Sequence, residues 1–419
     1  MKTKLERVVE SPLGRKQLDS TGAAIGASRV NPDNVYGPIP MLLKEYINEG
    51  SEKAWDEIGQ RIDNVYFAVS TAMEALDSEE PFSAEVSELV AAGKLLLFKP
   101  NLVTLPTLDP ETHDPALVGT CTPWSFLAAV MRWFHDKCAI TYYRMAVGEA
   151  GTATSKAAIM ASKVFGMNVT TQALMEGKCG NYFGGWGFYF ARKYLAERLT
   201  SNQTDNPLNG YEESLEGTCL PPGDAKDRLM LYDLNKTGDN LSFGREVPVV
   251  GGLNFKSIII HKAVIGGDPN DTEECRKWPG CVLVNVCKLK IHLHDLFTCA
   301  IKNLGIGLYP MEVKELDSNG KFHWKYAIPN LQTPCLKLRL PHTRWVPECD
   351  SDTLAPLRDK NGNYIAAETG GLQATMADCL QAIKAQGITI IHVADALEAV
   401  NINHCGPGCT SVPEGFVFA

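Results

Sequence analysis

The chain has 419 residues, of which 45% are hydrophobic and 21% are charged, and its formal net charge at pH 7 is -9. These values predict a globular protein with a sizeable core, organised as one large or two ordinary domains. They exclude a bulk positive field that would attract nucleic acid or an anionic membrane. An anionic ligand would therefore have to be held by a local group of cations.

The N-terminal residues carry basic side chains but lack the apolar core of a secretory signal, and no apolar run approaches the length of a membrane span. The thirteen cysteines follow no small-domain disulfide framework, which favours reduced thiols. We therefore predict a cytoplasmic protein with no membrane partner. The pattern does not specify an oligomeric state. The apolar ending VPEGFVFA leaves open a continuation beyond Ala419.

Hydrophobic patterns predict helices and strands that alternate along the chain. Apolar residues at three- and four-residue steps predict a helix over Ser51–Asp77, and KLLLF at 94–98 predicts a strand buried on both faces. A Thr-Pro start predicts a helix over Thr122–Asp136, and a strand follows at 140–147. Further strands are predicted over 229–234, 257–261, 282–286 and 388–393, and further helices over 296–306 and 376–386.

Strand, helix and strand at this spacing are typical of a βαβ unit. The sequence therefore predicts an α/β fold with a mainly parallel sheet, helices on both faces of that sheet and an inserted cap segment. The cap is predicted where glycine- and proline-rich stretches interrupt the pattern. In chain order we expect an N-terminal arm, a first α/β part, an insertion or cap and a second α/β part, over residues 1–45, 46–166, 167–246 and 247–419.

Polar residues follow the predicted strands, at the ends where ligands bind in open α/β sheets. The candidates at these strand ends, and in the AIKNLG helix that follows KLKIH, are Lys99, Asn101, Glu149, Lys288, Lys290, His292, Lys302, Asn303 and Asp395. Alternation along KLKIH predicts that its two lysines and its histidine line one wall. Converging lysines would bind a phosphate or carboxylate, and His292 would transfer a proton near neutral pH. Lys290 and Glu149 are the other catalytic candidates.

Three alternatives stay open. Lys288 and Lys290 could instead pair with carboxylates such as Glu149 and Asp395 and close the end of the sheet. The same lysines could serve a non-catalytic ligand-binding protein. A metal ion is a third alternative, since the sequence HCGPGC supplies His404, Cys405 and Cys409 as ligands of suitable type. No nucleotide-binding motif is found, because GGWG and GIG lack the full dinucleotide pattern and a Walker lysine motif is absent.

A set of short motifs carries a family resemblance: FKPNLV, the Thr-Pro helix, VGEAGTAT, KLKIH with AIKNLGIG, and HVADALEAVN. Together they resemble the uncharacterised family known as domain of unknown function 362, over roughly residues 94–160 and 280–419. The resemblance implies an α/β fold and supplies no reaction. Some relatives carry ferredoxin-like cluster motifs, which this sequence lacks. From the lysine and histidine cluster we predict an enzyme for a small anionic substrate. A metal or iron–sulfur accessory protein and a non-catalytic ligand-binding protein are the alternatives.

Overall fold

In the computed structural model, the chain is described over residues 24–102, 121–150, 188–209, 221–224, 227–235, 237–238, 241–292, 296–310, 312–316, 322–326, 346–347, 357–362, 365–367, 371–400 and 411–419. The helices are α1 (Ile39–Glu49), α2 (Glu52–Glu79), α3 (Ser83–Ala91), α4 (Trp124–Cys138), α5 (Phe188–Glu197), α6 (Lys262–Ile265), α7 (Thr272–Lys277), α8 (Ala300–Gly305) and α9 (Gly371–Lys384). Within these ranges, no helix combines the length and the apolar character that crossing a bilayer requires.

The strands are β1 (Ala27–Arg29), β2 (Leu95–Lys99), β3 (Met145–Glu149), β4 (Met230–Asp233), β5 (Gly244–Pro248), β6 (Ser257–His261), β7 (Cys281–Lys288), β8 (Lys290–His292), β9 (Leu296–Thr298), β10 (Glu312–Leu316), β11 (Phe322–Tyr326), β12 (Val346–Pro347), β13 (Ala366–Ala367), β14 (Ile390–Val400) and β15 (Ser411–Phe418). Among the described residues, seven strands form one sheet in the order β1-β15-β14-β7-β2-β3-β4. The five strands from β14 to β4 are mutually parallel, whereas β15 and β1 add an antiparallel edge.

The two faces of the sheet are covered by different helices, because every second residue of a strand points to the same face. In β2, Leu96 and Phe98 join the core beneath α2, α4 and α5, while Leu95 and Leu97 join the core beneath α6, α8 and α9. The whole of β2 is buried, as is typical of a parallel strand with helices on both sides. The predicted α/β fold is confirmed.

The order of the parallel strands reverses once, at β2. From β2 the chain adds β3 and β4 on one side, and it then crosses to the other side of β2 to add β7 and β14. A sheet wound in this way leaves a gap between the two connections that diverge at the reversal, beyond the carboxyl ends of the strands. The switch point of this sheet therefore lies between the carboxyl ends of β2 and β7.

Several predicted boundaries were wrong, for local reasons. The strand expected at 140–147 begins only at Met145, because Ala139 adopts a left-handed conformation (φ 52°) and a 3₁₀ turn follows it. The helix expected at 296–306 begins at Ala300, because residues 296–298 pair with β8 as β9. The long helix α2 was predicted well: Ser51 caps it by accepting a hydrogen bond from the Ala54 amide at 3.3 Å.

One strand of the main sheet, β4, lies within the predicted cap and pairs with β3. At the other end of the chain, β1 lies within the predicted N-terminal arm and pairs with β15 at the edge of the sheet. The boundaries of the arm and the cap stay predictions, because much of residues 1–45 and 167–246 lies outside the described ranges.

Candidate functional site

Six polar side chains converge at the carboxyl ends of β2, β3 and β7, and none of them is more than 4% exposed. We call them the switch-point cluster, which consists of Lys99, Asn101, Glu149, Asn285, Lys290 and Asn303. Five of the six were candidates from sequence alone; Asn285 was not. Burial of this many polar groups requires that they find partners, since an unpaired buried polar group costs free energy.

A buried ion pair stands at the centre of the cluster. The Lys99 ammonium lies 2.5 Å from Glu149 Oε1, and both side chains are excluded from solvent. The ammonium also donates to the Pro100 carbonyl at 2.7 Å and to Asn303 Oδ1 at 3.1 Å, so all three of its N–H groups are used. Burial lowers the pKa of Lys99, and the Glu149 carboxylate opposes that shift. Lys99 is therefore a saturated structural cation in this arrangement.

Glu149 also fixes the backbone where two strands end. Its Oε2 accepts a hydrogen bond from the Leu102 amide at 3.0 Å, and its Oε1 accepts one from the Ala150 amide at 2.9 Å. These amides follow β2 and β3, so one carboxylate joins the segments that leave two neighbouring strands. The result is a rigid floor at the carboxyl edge of the sheet.

Two asparagines connect this ion pair to helix α8. Asn303 Nδ2 donates to the Lys99 carbonyl at 3.1 Å and to Asn285 Oδ1 at 2.7 Å. Asn285 Nδ2 in turn donates to the Ala300 carbonyl and to His392 Nδ1, at 3.0 and 2.9 Å. Burial lowers the pKa of His392, and Lys384 lowers it further, so the imidazole is neutral and accepts this bond. The amides thereby hold α8 against β2, β7 and β14.

The switch point itself is bridged by Asn101 and Lys290. The Lys290 ammonium lies 3.4 Å from Asn101 Oδ1, at the outer limit of a hydrogen bond. Thr122 ties the same region together, because its hydroxyl accepts from the Asn101 amide and donates to the Val286 carbonyl, both at 2.9 Å. Lys290 and Asn101 therefore lie beside each other where the connections that follow β2 and β7 diverge.

A family model described as Domain of unknown function (DUF362) matches residues 280–419. Residues 280–419 are thus similar to the DUF362 family, which supports the resemblance that the motifs predicted for this part of the chain. Comparison with curated proteins found no match, and comparison with solved structures found none either. The DUF362 segment supplies Asn285, Lys290 and Asn303 to the cluster, whereas Lys99, Asn101 and Glu149 lie outside the matched residues. The predicted resemblance over residues 94–160 stays a prediction.

The KLKIH sequence does not form one strand, because β7 ends at Lys288 and β8 begins at Lys290. Lys288 points to the face beneath α2 and pairs with Asp395 at 2.8 Å, with neither side chain exposed. Its ammonium also lies 5.3 Å from the centre of the Tyr36 ring. The continuous strand assumed for KLKIH is therefore interrupted, and the pairing alternative describes Lys288 and Asp395 better than a shared wall does.

Five other predicted positions need separate mention. Lys302 lies on α8 and is half-buried. His292 ends β8, but its side chain lies outside the described part of the chain. The proposed metal ligands His404, Cys405 and Cys409 also lie outside it, and among the residues that are described no group of metal-binding side chains forms a site. The roles of all these residues stay predictions.

Two residues that sequence reasoning missed left detectable signals. Asn285 is the only polar residue in the run VLVNV, and a polar residue inside a fully buried strand must have a buried partner. Gly307 follows AIKNLG in the sequence, but the reason for a glycine there is tertiary. A side chain at Gly307 would place its Cβ 2.1 Å from the Asn303 carbonyl and 2.7 Å from Lys99 Nζ.

We therefore expect Gly307→Ala to displace α8 from the cluster and to destabilise the protein by about 1–3 kcal/mol, as overpacking of a dense interior does. Chemical denaturation measures this loss. Gly37→Ala is the matched control, because the nearest atom to its new methyl group would be Glu398 Oε1 at 3.9 Å, an ordinary contact. Equal stability of the two variants would show that the contact between Gly307 and Lys99 is not tight.

Proposed function

We propose that this protein is an enzyme acting on a small phosphorylated or carboxylated substrate, bound at the switch point between β2 and β7. The observation that carries the proposal is the position of Lys290 at the switch point, where its ammonium lies 3.4 Å from Asn101 Oδ1. Open α/β sheets bind their ligands at such a position because the connections diverge there and leave room for a small molecule.

The choice of an anionic substrate follows from the donors at this edge. Lys290 and Lys302 both belong to the segment that follows β7, and Lys302 is half-buried rather than extended into bulk water. Cations attached to a rigid floor bind phosphate or carboxylate oxygens with little loss of side-chain freedom. In a chain with a formal net charge of -9, such a local arrangement provides attraction for an anion that the protein as a whole does not.

Catalysis, rather than binding alone, is supported by the titratable groups at this edge. Histidine is the side chain whose ordinary pKa lies nearest to neutral pH, and His292 belongs to the same short strand as Lys290. In the proposal, Lys290 binds the charge of the substrate and His292 transfers a proton, while the pair formed by Lys99 and Glu149 positions the floor. The protein acts in the cytoplasm, with neither nucleic acid nor membrane as a partner.

Thermal unfolding with a panel of phosphorylated and carboxylated metabolites tests the binding step. A true ligand should stabilise the protein by about 2.7 kcal/mol at a hundredfold excess over its Kd, which raises the midpoint. Lys290→Ala should remove that rise. Lys137→Ala is the matched control, because Lys137 is an exposed lysine on α4 that pairs with Glu74 far from the switch point.

The unfolding midpoint of each variant without ligand shows whether that variant is folded. The quantity compared between the variants and the parent protein is the rise in midpoint when ligand is added. A panel in which no compound raises the midpoint would contradict the proposal, as would an equal rise in Lys290→Ala. Incubation of each stabilising compound with the protein, followed by mass spectrometry of the products, then separates an enzyme from a ligand-binding protein. An unchanged compound would favour the non-catalytic role.

A further inference from the structure

Two thiols are in contact beside the switch-point cluster. Cys287 is buried on β7, and the half-exposed Cys299 directly precedes α8. Their sulfur atoms are 3.3 Å apart. Both cysteines are reduced in this structure. A disulfide bond is about 2.05 Å long, so the sulfur atoms need to approach by only about 1.3 Å to form one.

The two thiols have different surroundings, which shift their pKa values in opposite directions. The hydrogen bond from Cys287 lowers the pKa of Cys299, and Lys288 lowers it further, against the effects of burial and Asp395. The same hydrogen bond and burial raise the pKa of Cys287. Because the thiolate is the attacking species, Cys299 is the nucleophile of the pair. Cys299 is also the member that solvent reaches, so a small reagent meets it first.

We propose that Cys287 and Cys299 form a redox-active dithiol that exchanges with small-molecule disulfides. The Cys299 thiolate attacks one sulfur of a disulfide RSSR, the S–S bond of RSSR breaks, and RS⁻ leaves and takes up a proton. The Cys287 thiol then gives up its proton and attacks the Cys299 sulfur of the mixed disulfide, which releases the second RS⁻. Overall, the protein dithiol is oxidised to a disulfide and RSSR is reduced to two RSH.

The position of Cys299 connects this chemistry to the cluster. The Cys299 carbonyl accepts a hydrogen bond from the Asn303 amide at 3.1 Å, and the next residue, Ala300, accepts one from Asn285. A disulfide would tie β7 to the first turn of α8, which carries Asn303. Oxidation should therefore alter substrate binding, and this effect rests on the proposed function. The exchange reaction does not depend on the proposed function.

The test uses the full chain and glutathione disulfide as the probe. After incubation, free thiols are alkylated and the peptides are analysed by mass spectrometry. We expect a peptide pair joined through Cys287 and Cys299 that reverts to two alkylated peptides after reduction. In Cys287→Ser we expect a glutathione adduct to persist on Cys299, because the resolving thiol is gone.

Cys281→Ser is the matched control, because Cys281 is a buried thiol of the same strand whose hydrogen bond goes to the Val264 carbonyl at 3.3 Å. It should still form the disulfide. Two results in the unmodified protein would overturn the proposal: Cys299 remaining fully alkylated after exposure to glutathione disulfide, or a persistent glutathione adduct on Cys299 without closure to Cys287. Neither result depends on a substrate, so failure here is distinct from failure of the proposed function.

Discussion

Replacing Glu149 with Gln should lower the free energy of unfolding by about 3–5 kcal/mol, the usual cost of removing one partner of a buried ion pair. The substitution leaves the Lys99 ammonium without its counter-charge at a position that solvent does not reach. In the parent protein, the two carboxylate oxygens of Glu149 accept hydrogen bonds from the amides of Leu102 and Ala150. The substitution replaces one of these oxygens by an NH₂ group, which cannot accept such a bond. Urea denaturation of the purified protein measures the loss.

The loss in Glu149→Gln should depend on pH in a defined direction. Burial already lowers the pKa of Lys99 below its ordinary value, and loss of the carboxylate removes the main influence that raises it. Between the pKa of Lys99 in the folded protein and its pKa in the unfolded chain, the unfolded chain binds more protons, so the stability of the variant should increase with pH. A stability that falls as the pH rises over this window would contradict the assignment.

Two further variants complete the test of this pair. Glu74→Gln removes a carboxylate that pairs with Lys137 at the surface, and it should change stability little because exposed pairs contribute little. Lys99→Met combined with Glu149→Met should be more stable than Glu149→Gln alone, since two apolar side chains leave no buried charge. A loss in Glu149→Gln as small as that in the surface control would show that Lys99 and Glu149 are not a buried pair.

Replacing Asp395 with Asn should also cost about 3–5 kcal/mol, because Lys288 would lose its counter-charge in a position without solvent. Asp395 Oδ1 accepts a hydrogen bond from the Leu397 amide at 3.0 Å, so the bulge in β14 that follows Asp395 loses an anchor if the amide group turns. Thermal and urea unfolding without any ligand measure this effect.

The Asp395→Asn variant distinguishes two interpretations of Lys288. If Lys288 and Asp395 form a structural pair, the stability loss appears without ligand, and the midpoint rise caused by a ligand is preserved in the folded variant. If Lys288 instead binds the ligand, the variant is nearly as stable as the parent protein and its response to ligand changes. Glu274→Gln is the matched control, because Glu274 pairs with Lys262 at 2.5 Å on the other face of the sheet.

The architecture was predictable because it depends on local patterns. A continuous apolar strand such as β2 must be buried on both faces, and polar residues directly after it must lie at its carboxyl end. The same reasoning, applied to β2 and β3, predicts that Lys99, Asn101 and Glu149 lie at one edge of the sheet. The resemblance of the KLKIH and AIKNLG motifs to a known family pointed to the same edge from the C-terminal part of the chain.

The pairing within that edge was not predictable, because it depends on tertiary register. Lys288 is opposite Asp395 only because β7 and β14 align as they do, and nothing local in either strand specifies that alignment. The interruption between β7 and β8 at Leu289 was not predictable either, since the Leu289 amide still donates to the Asp395 carbonyl of β14 at 2.9 Å. Asn285 and Asn303 are 18 residues apart, and only the packing of α8 on β7 brings their amides together.

A crystal structure of the protein with its most stabilising anion would locate the ligand site. We predict that the anion lies between the carboxyl ends of β2 and β7, within hydrogen-bond distance of Lys290 Nζ and Asn101. We also predict that Lys99 and Glu149 remain paired beneath the anion. An anion bound elsewhere, with the switch point filled by side chains of the protein itself, would contradict the proposed site.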